Sequence, residues 1–397
     1  MMHPAVQLSQ TLLPPLVLRG RKLLPIIQGG MGVGISAHRL AGTVAREGAI
    51  GTIASVDLRR LHPDLMQRTR KCRDQAALAA TNVEALDREI VAARAIAGPT
   101  GFIAVNVMRA LSNYADMVRQ ACRSGVDALI VGAGLPFDLP ELVEGHDVAL
   151  IPILSEERGV RALLKKWLRR GRLPDAIVIE HPRYAGGHLG ATRLDEVGDA
   201  RYDFARVLPE IRRSLQELGV ADAIPLLPAG GINSFEKLRA LFDLGASGVQ
   251  IGTPFAVTEE CDAHPNFKKV LAEAKPDQIV TFMSAAGLPA RAVLTPWLKR
   301  YLGREQRLCA RADPARSLCA SNLECLSHCG FKDGNPAAGQ FCIETQLAAA
   351  QRGSIEQGLF FRGSEALPFG SEIRSVGELL RYLLTGIRPA PLPAAPS

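Results

Sequence analysis

IPLLPAGGINSFEKLRALFDLGASGVQIGTPF, residues 224–255, is the stretch whose reading decides the fold. Ile224–Leu227 is a short apolar run that stops at Pro228-Ala229-Gly230-Gly231. Phe235–Leu244 then carries apolar residues at helical spacing, and Gly248–Ile251 is a second short run that stops at Gly252-Thr253. Near-continuous apolar runs of this length, separated by one amphipathic helix, read as parallel strands covered on both faces.

The same alternation extends back through the chain. Pro25–Gln28, Ala49–Ala54, Phe102–Val107, Ala128–Val131, Ala149–Leu154 and Ala176–Glu180 are further strand candidates. His38–Glu47, Tyr114–Arg123, Glu157–Arg170 and Phe204–Leu218 show amphipathic spacing between them, and the long connection from Val56 to Gly101 carries an extra helix over Val83–Ala97. Eight strands in βα alternation predict a (β/α)8 TIM barrel. The competing architecture, an open doubly wound sheet, would carry G-x-G-x-x-G after its first strand. Gly29-Gly30-Met31-Gly32-Val33-Gly34 lacks that spacing.

The chain then divides into an N-terminal extension (1–24), the barrel (25–294), a Cys-containing, partly helical C-terminal extension packing on the barrel (295–387) and a Pro/Ala-rich disordered tail (388–397). Thr295–Asn335 reads as irregular and basic, and helical patterns resume at Ile343–Gln351 and Val376–Leu384. The net charge of +7 is spread thinly, with Lys165-Lys166 and Arg169-Arg170 on the solvated face of a helix. No aromatic residues interleave with these cations, so nucleic acid is not an expected partner. Pro4, Pro14 and Pro15 break the N-terminus, which therefore does not read as a signal peptide. No stretch approaches the ~20 apolar residues that a membrane span needs. A cytoplasmic protein is the expectation, and its eight cysteines are then not a disulfide framework.

The candidate chemistry lies at the strand ends. In TIM barrels the loops after strands seven and eight often hold phosphate, because glycines let backbone N–H groups close on the oxygens. Ala229-Gly230-Gly231 and Gly252-Thr253 occupy those places. Gly29, Gly30 and Met31 end the first strand, where bare backbone admits a flat ligand across the barrel mouth. Asn106 interrupts the apolar third strand, as an amide facing a site does. His188 follows Gly186-Gly187 after the sixth strand, and an imidazole near its ordinary pKa suits proton transfer at neutral pH. His181, at the end of the same strand, competes with it for that role.

Read together, Pro25-Ile26-Ile27-Gln28-Gly29-Gly30-Met31, Ala185-Gly186-Gly187-His188-Leu189-Gly190, Pro228-Ala229-Gly230-Gly231-Ile232 and Gly248-Val249-Gln250-Ile251-Gly252-Thr253-Pro254-Phe255 resemble the nitronate monooxygenase (2-nitropropane dioxygenase-like) family. The resemblance continues through Ser284–Arg291, Cys325–Cys342 and Gly358–Gly363. It implies an FMN-dependent TIM barrel with the FMN phosphate at Gly230, Gly231, Gly252 and Thr253. The isoalloxazine would lie against Gly29, Gly30 and Met31, with Asn106 and Gln250 among its polar contacts and Gly186, Gly187 and Ala229 close by. His188 would stand beside it as general base or as hydrogen-bond donor to a nitro group, and Ser284 would face the substrate. The implied reaction is oxidation of alkyl nitronates, or of nitroalkanes, by O2 to carbonyl compounds and nitrite.

Two alternatives stay open. One keeps the flavin but uses NAD(P)H to reduce quinones or enoyl thioesters; the other is a flavin-free barrel that binds a phosphate ligand. A homodimer is an open partner. Tyr184 stands where members of the family often have Glu, and the Leu189–Tyr202 loop is long and charged. Cys309, Cys319, Cys325, Cys329 and Cys342 contain no C-x-x-C pair, so the spacing is not that of a zinc ribbon; they read as reduced thiols, with a metal or iron–sulfur site on three or four of them as the alternative. Iron and zinc analysis of the purified protein tests that reading.

Overall fold

The computed structural model describes residues 8–72, 74–221, 223–315, 319 and 325–391. Eight parallel strands close into a barrel: β1 (Ile26–Gln28), β2 (Ile50–Ala54), β3 (Phe102–Met108), β4 (Ala128–Gly132), β5 (Ala149–Leu154), β6 (Ile177–Glu180), β7 (Leu226–Ala229) and β8 (Val249–Ile251). Each pairs with its sequence neighbour, and β8 closes onto β1 through Ile251↔Gln28. The TIM barrel expected from the βα alternation is the observed fold.

One strand shifts along the chain. β7 begins at Leu226 rather than Ile224, because Pro225 has no N–H to donate to the ladder. Its carbonyl instead accepts the N–H of Ile177 at 2.9 Å, and pairing runs from Leu226↔Ile177 to Ala229↔Glu180. The shift brings Ala229 into the sheet, in register with Glu180 on one side and Gln250 on the other.

The barrel interior is filled by Ile27, Ile50, Phe102, Ile130, Ile151 and their neighbours. Leu16, Leu18 and Leu23 of an N-terminal hairpin (Leu16–Leu18 with Arg21–Leu23) join this cluster and plug the amino end. Its two-residue turn uses Arg19 and Gly20 at φ of 47° and 78°, the left-handed pair such hairpins require. Arg21 to Asp127 at 2.8 Å and Arg19 to Asp175 at 3.1 Å tie the hairpin to the barrel.

Outside, the helices bury one face each. On Glu157–Leu168 that face is Val160, Leu163, Leu164 and Trp167. The extra helix before β3 spans Gln75–Ala97 and begins eight residues earlier than its apolar pattern, because the Asp74 carboxylate caps it at the Ala76 N–H (2.9 Å).

Besides the N-terminal hairpin, three strands among the described residues form a second sheet outside the barrel. Ile279–Met283 and Pro289–Val293 form an antiparallel hairpin, and the two-residue strand Gly187–His188 pairs with it through Ala290↔His188. The Thr295–Asn335 stretch is not irregular throughout. It contains the helices Pro296–Leu302, capped by Thr295, and Glu305–Cys309. Helices of seven and five residues are too short to display a period. The C-terminal segments then return over the carboxyl end of the barrel. Asp57, Arg59 and Arg60, which follow β2, pair among themselves, and Arg60 reaches Glu344 of helix Ile343–Gln351 at 2.9 Å.

Of the tail expected to be disordered from Arg388, residues 392–397 lie outside the described residues. Arg388 instead donates to the Pro368 carbonyl at 3.2 Å, and Arg374 holds the Ala390 carbonyl at 2.7 Å. Among the described residues no helix is long and apolar enough to cross a membrane.

Candidate active site

The carboxyl ends of the strands open into a cavity of about 730 Å³. TIM-barrel chemistry is found at this end because the βα loops bring residues from many strands to one place.

The β7 and β8 ends form one side. Gly230 and Gly231 have φ of 105° and 75°, and a Cβ on Gly231 would lie 2.9 Å from the Tyr184 side chain. Both the backbone conformation and the space therefore require glycine. Ser234 caps the helix that follows, accepting the Lys237 N–H at 3.3 Å. After β8, Gly252 and Thr253 line the same side. The Thr253 hydroxyl oxygen accepts the Gly363 N–H at 2.9 Å, which leaves its own O–H to donate.

The β1 end forms the floor. The Gly29 N–H donates to the Ile251 carbonyl at 2.8 Å and locks the turn to β8. A Cβ on Gly30 would lie 2.3 Å from Cβ of Asn106, so these two residues touch only because Gly30 has no side chain. Asn106 Nδ2 donates to the Ile130 carbonyl at 3.1 Å, which fixes the amide at the wall beside Met31.

The Ala185–Gly190 loop, which follows β6, supplies the adjoining side, where a Cβ on Gly230 would lie 3.4 Å from the Ala185 nitrogen. Arg291 of the outer hairpin donates to the carbonyls of Pro182 and Ala185, and pairing of Gly187–His188 with Ala290 and Arg291 fixes the rest. Gly186 packs so closely on the Arg362–Gly363 backbone that a Cβ would meet it at 2.5 Å. His188 lines the cavity with its ring edge-on to Phe361, centroids 5.7 Å apart. Burial lowers its pKa to about 4, so the imidazole is neutral at working pH. Of the two roles left open for it, a neutral ring suits hydrogen bonding better than strong base catalysis.

The competing histidine is placed elsewhere. His181 is buried behind the wall, with Nε2 3.2 Å from the Asp203 carboxylate and its ring against Tyr184 and Phe204. Ser284 corrects an expectation as well. It does not reach the cavity: its side chain is fully buried at the hairpin turn, where Oγ accepts the Ala286 N–H at 3.2 Å. Ala286 and Leu288 of that turn reach the wall instead.

Three buried polar atoms on the wall lack a partner: Ser55 Oγ, Gln250 Oε1 and His188 Nε2. Leaving a buried polar atom unsatisfied costs about 1–3 kcal/mol, and such atoms mark places where a ligand completes the bonding. Ser55 and Glu180 are wall residues the sequence reading missed. Ser55 follows the last residue of β2, so the rule that picked out Asn106, a polar side chain at a strand end, would have found it. Among the described residues no three His, Cys, Asp or Glu side chains are grouped as a metal site requires. Cys325 lies on the cavity wall as a free thiol.

The comparisons with known proteins agree with this geometry. The nitronate monooxygenase family model matches residues 21–386. A probable nitronate monooxygenase of Bacillus subtilis (strain 168) is 27% identical over 284 residues, covering 69% of this chain and 78% of its own. Two solved structures share the fold. The nitroalkane oxidase from Streptomyces ansochromogenes superposes with a TM-score of 0.63 at 18% identity, covering 95% of this chain and 97% of its own. FabK from Thermotoga maritima superposes with a TM-score of 0.61 at 22% identity, covering 91% of each chain. A family match over nearly the whole chain, on a barrel whose mouth is built in this way, makes the protein a flavin oxidoreductase that belongs to the nitronate monooxygenase family.

Proposed function

We propose that this protein binds FMN in the barrel mouth and oxidises alkyl nitronates with O2 to carbonyl compounds and nitrite. The observation that carries this reading is the coincidence, in one cavity, of glycine turns at the β7, β8 and β1 ends with the unpaired Gln250 Oε1 and His188 Nε2. The residues present fit FMN. Gly230, Gly231, Gly252 and Thr253 would hold its phosphate through backbone N–H groups and one hydroxyl. Gly29, Gly30 and Met31 would lie under the ring, where any larger residue at position 30 would collide with Asn106. Asn106 and Gln250 would bond its polar edge, and Ala229, Gly186 and Gly187 leave the space it needs.

FMN supplies the redox chemistry when bound, passing electrons from substrate to O2. The chain's own residues supply orientation. The neutral His188 ring has one N–H to give, and hydrogen bonding to a nitro oxygen would hold the substrate at the ring face. Leu189, Phe361 and Leu359 exclude water from that contact.

The second reading, NAD(P)H-dependent reduction of quinones or enoyl thioesters, draws support from the apolar character of the far end of the cavity. One experiment separates the readings. Purified yellow protein should release nitrite and consume O2 with propyl-1-nitronate, and NADH should leave the anaerobic flavin oxidised. Flavin bleaching by NADH without nitrite release would favour the reductase. A colourless preparation that binds no added FMN would remove both and leave the phosphate-ligand barrel.

A further inference from the structure

Four carboxylates stand on the cavity wall, and three of them have cations. Glu344 meets Arg60 at 2.9 Å, Glu365 meets Lys237 at 2.6 Å, and Glu156 lies 3.8 Å from Arg201. The Glu180 carboxylate has neither an ion pair nor a hydrogen bond among the described residues. It is the last residue of β6, the position from which barrel enzymes present reactive groups. Its register partner is Ala229, whose other partner is Gln250, so Glu180 and Gln250 share one row on alternate strands, roughly 10 Å apart at the usual strand spacing. The carboxyl end is flanked by bare backbone. A Cβ on Gly190 would lie 3.4 Å from Glu180 Oε2 and 1.7 Å from Ser155 Oγ.

The rest of the wall says what such a group could meet. No lysine or arginine lines the cavity among the described residues. Leu111, Leu135, Leu288, Leu326 and Leu347 are among the residues lining it and make much of the wall apolar. A substrate carrying a carboxylate or phosphate of its own finds no counter-charge there, whereas an uncharged molecule with a hydrocarbon chain finds burial worth about 0.8 kcal/mol per methylene.

We propose that Glu180 is the proton acceptor that lets this site take uncharged nitroalkanes bearing an apolar chain. The proposal rests on the nitronate-oxidising reading of the site. The Glu180 carboxylate removes the proton from the carbon next to the nitro group. The C–H electron pair becomes the carbon–nitrogen double bond, the negative charge passes to the two nitro oxygens, and Glu180 ends as the neutral acid. No electron is transferred in this step, and its product is the nitronate that the flavin chemistry consumes. Burial alone pushes the Glu180 carboxyl up to about 7. No neighbouring charge adds to that shift, and the other carboxylates of the wall, Glu156, Glu344 and Glu365, are paired with Arg201, Arg60 and Lys237. A carboxylate held at neutrality is a stronger base than an ordinary one and is still ionised in half the molecules at that pH.

The test reads the proton step without turnover. In anaerobic D2O the holoenzyme should wash deuterium into the α-carbon of 1-nitrohexane, followed by NMR, with a rate that rises through one inflection near pH 7. Glu180→Gln should lower that exchange about 100-fold. It should lower oxidation of 1-nitrohexane far more than oxidation of the pre-formed nitronate. Exchange at the wild-type rate in Glu180→Gln with full flavin content overturns the proposal. If that variant fails to fold or to hold FMN, the wild-type profile decides: exchange that is flat from pH 5.5 to 8.5 overturns it. A wild type that oxidises the nitronate without exchange removes this proposal and leaves the proposed function intact. Exchange without nitronate oxidation removes the proposed function instead.

Discussion

At the β7 and β8 turns the cavity is walled by backbone, and around the Ala185–Gly190 loop by side chains brought from far apart in the chain. Gly230, Gly231, Gly252 and Thr253 come from two successive βα units and take their shape from glycine conformations that local sequence specifies. The side-chain wall joins the Ala185–Gly190 loop, the outer hairpin around Pro289–Val293, Phe361 and the Leu326–Leu347 region. It is held by contacts such as Arg291 to the Pro182 carbonyl and the Leu111↔Leu326 bridge. The difference teaches that a cofactor pocket can be written into short turns, whereas a substrate pocket is an agreement between distant segments. The two walls should therefore fail differently.

The largest effect is expected from breaking the backbone wall. Gly231→Val places a β-branched residue at a φ of 75° with its Cβ against Tyr184. The strain and the clash should raise the Kd for FMN about 1,000-fold, roughly 4 kcal/mol, measured by fluorescence titration of the apoprotein. Retention of bound flavin in this variant would show that the phosphate lies elsewhere.

The side-chain wall is better probed through two half-buried titratable groups, His188 and Glu180, which act on stability with opposite sign. His188 is held near 4, below its ordinary 6.5, so the unfolded chain takes up its proton first and stability falls as pH drops from 6.5 to about 4. Glu180 is held near 7, above its ordinary 4.5, so the folded chain keeps its proton longer and stability falls as pH rises from 4.5 to about 7. Each is worth ~3 kcal/mol, and they largely cancel between pH 4.5 and 6.5. Relative to wild type, His188→Asn should lose stability and Glu180→Gln should gain it as pH rises through that window. Thermal midpoints of the apoproteins at a series of pH values check this, and parallel curves for all three would contradict it.

His188→Asn should also keep its FMN while turnover of neutral nitroalkanes falls ~100-fold, comparable to loss of one well-placed polar group in a closed site. Unchanged turnover would remove His188 from the chemistry. The smallest effect belongs to the other histidine. His181→Gln loses one hydrogen bond to Asp203 behind the wall, so it should cost about 1 kcal/mol of stability and leave turnover within about twofold.

The two histidines also show how far the sequence could be read. Both follow the sixth strand, only seven residues apart, and only the Gly-Gly before His188 favoured it. The fold placed the choice beyond spacing, by tying His181 to Asp203 and pairing His188 with Ala290 beside the cavity. Glu180 was legible only as the end of a strand, where a carboxylate usually meets water. Its lack of a cation among the described residues depends on where Arg201, Lys237 and Arg60 point, and no local pattern contains that. Ser284 failed for the same reason in reverse. A serine in a turn reads as available, but the outer hairpin folds it inward and offers Ala286 and Leu288 in its place. The strands Ile279–Met283 and Pro289–Val293 were not legible either, since Pro289-Ala290-Arg291-Ala292 has little strand propensity and is held by its partners.

By itself, then, the sequence determined the barrel and its glycine turns after β7 and β8, because apolar periodicity and glycine conformation are local properties that each short segment carries with it. All eight strands lie within two residues of their apolar runs, and Gly230, Gly231, Gly252 and Thr253 stand where the turns require. Only the tertiary structure decided which titratable groups face the cavity unpaired. Burial, ion pairing and the pKa values that follow from them are properties of several segments meeting at one place, and a strand end carries no record of what will fold against it.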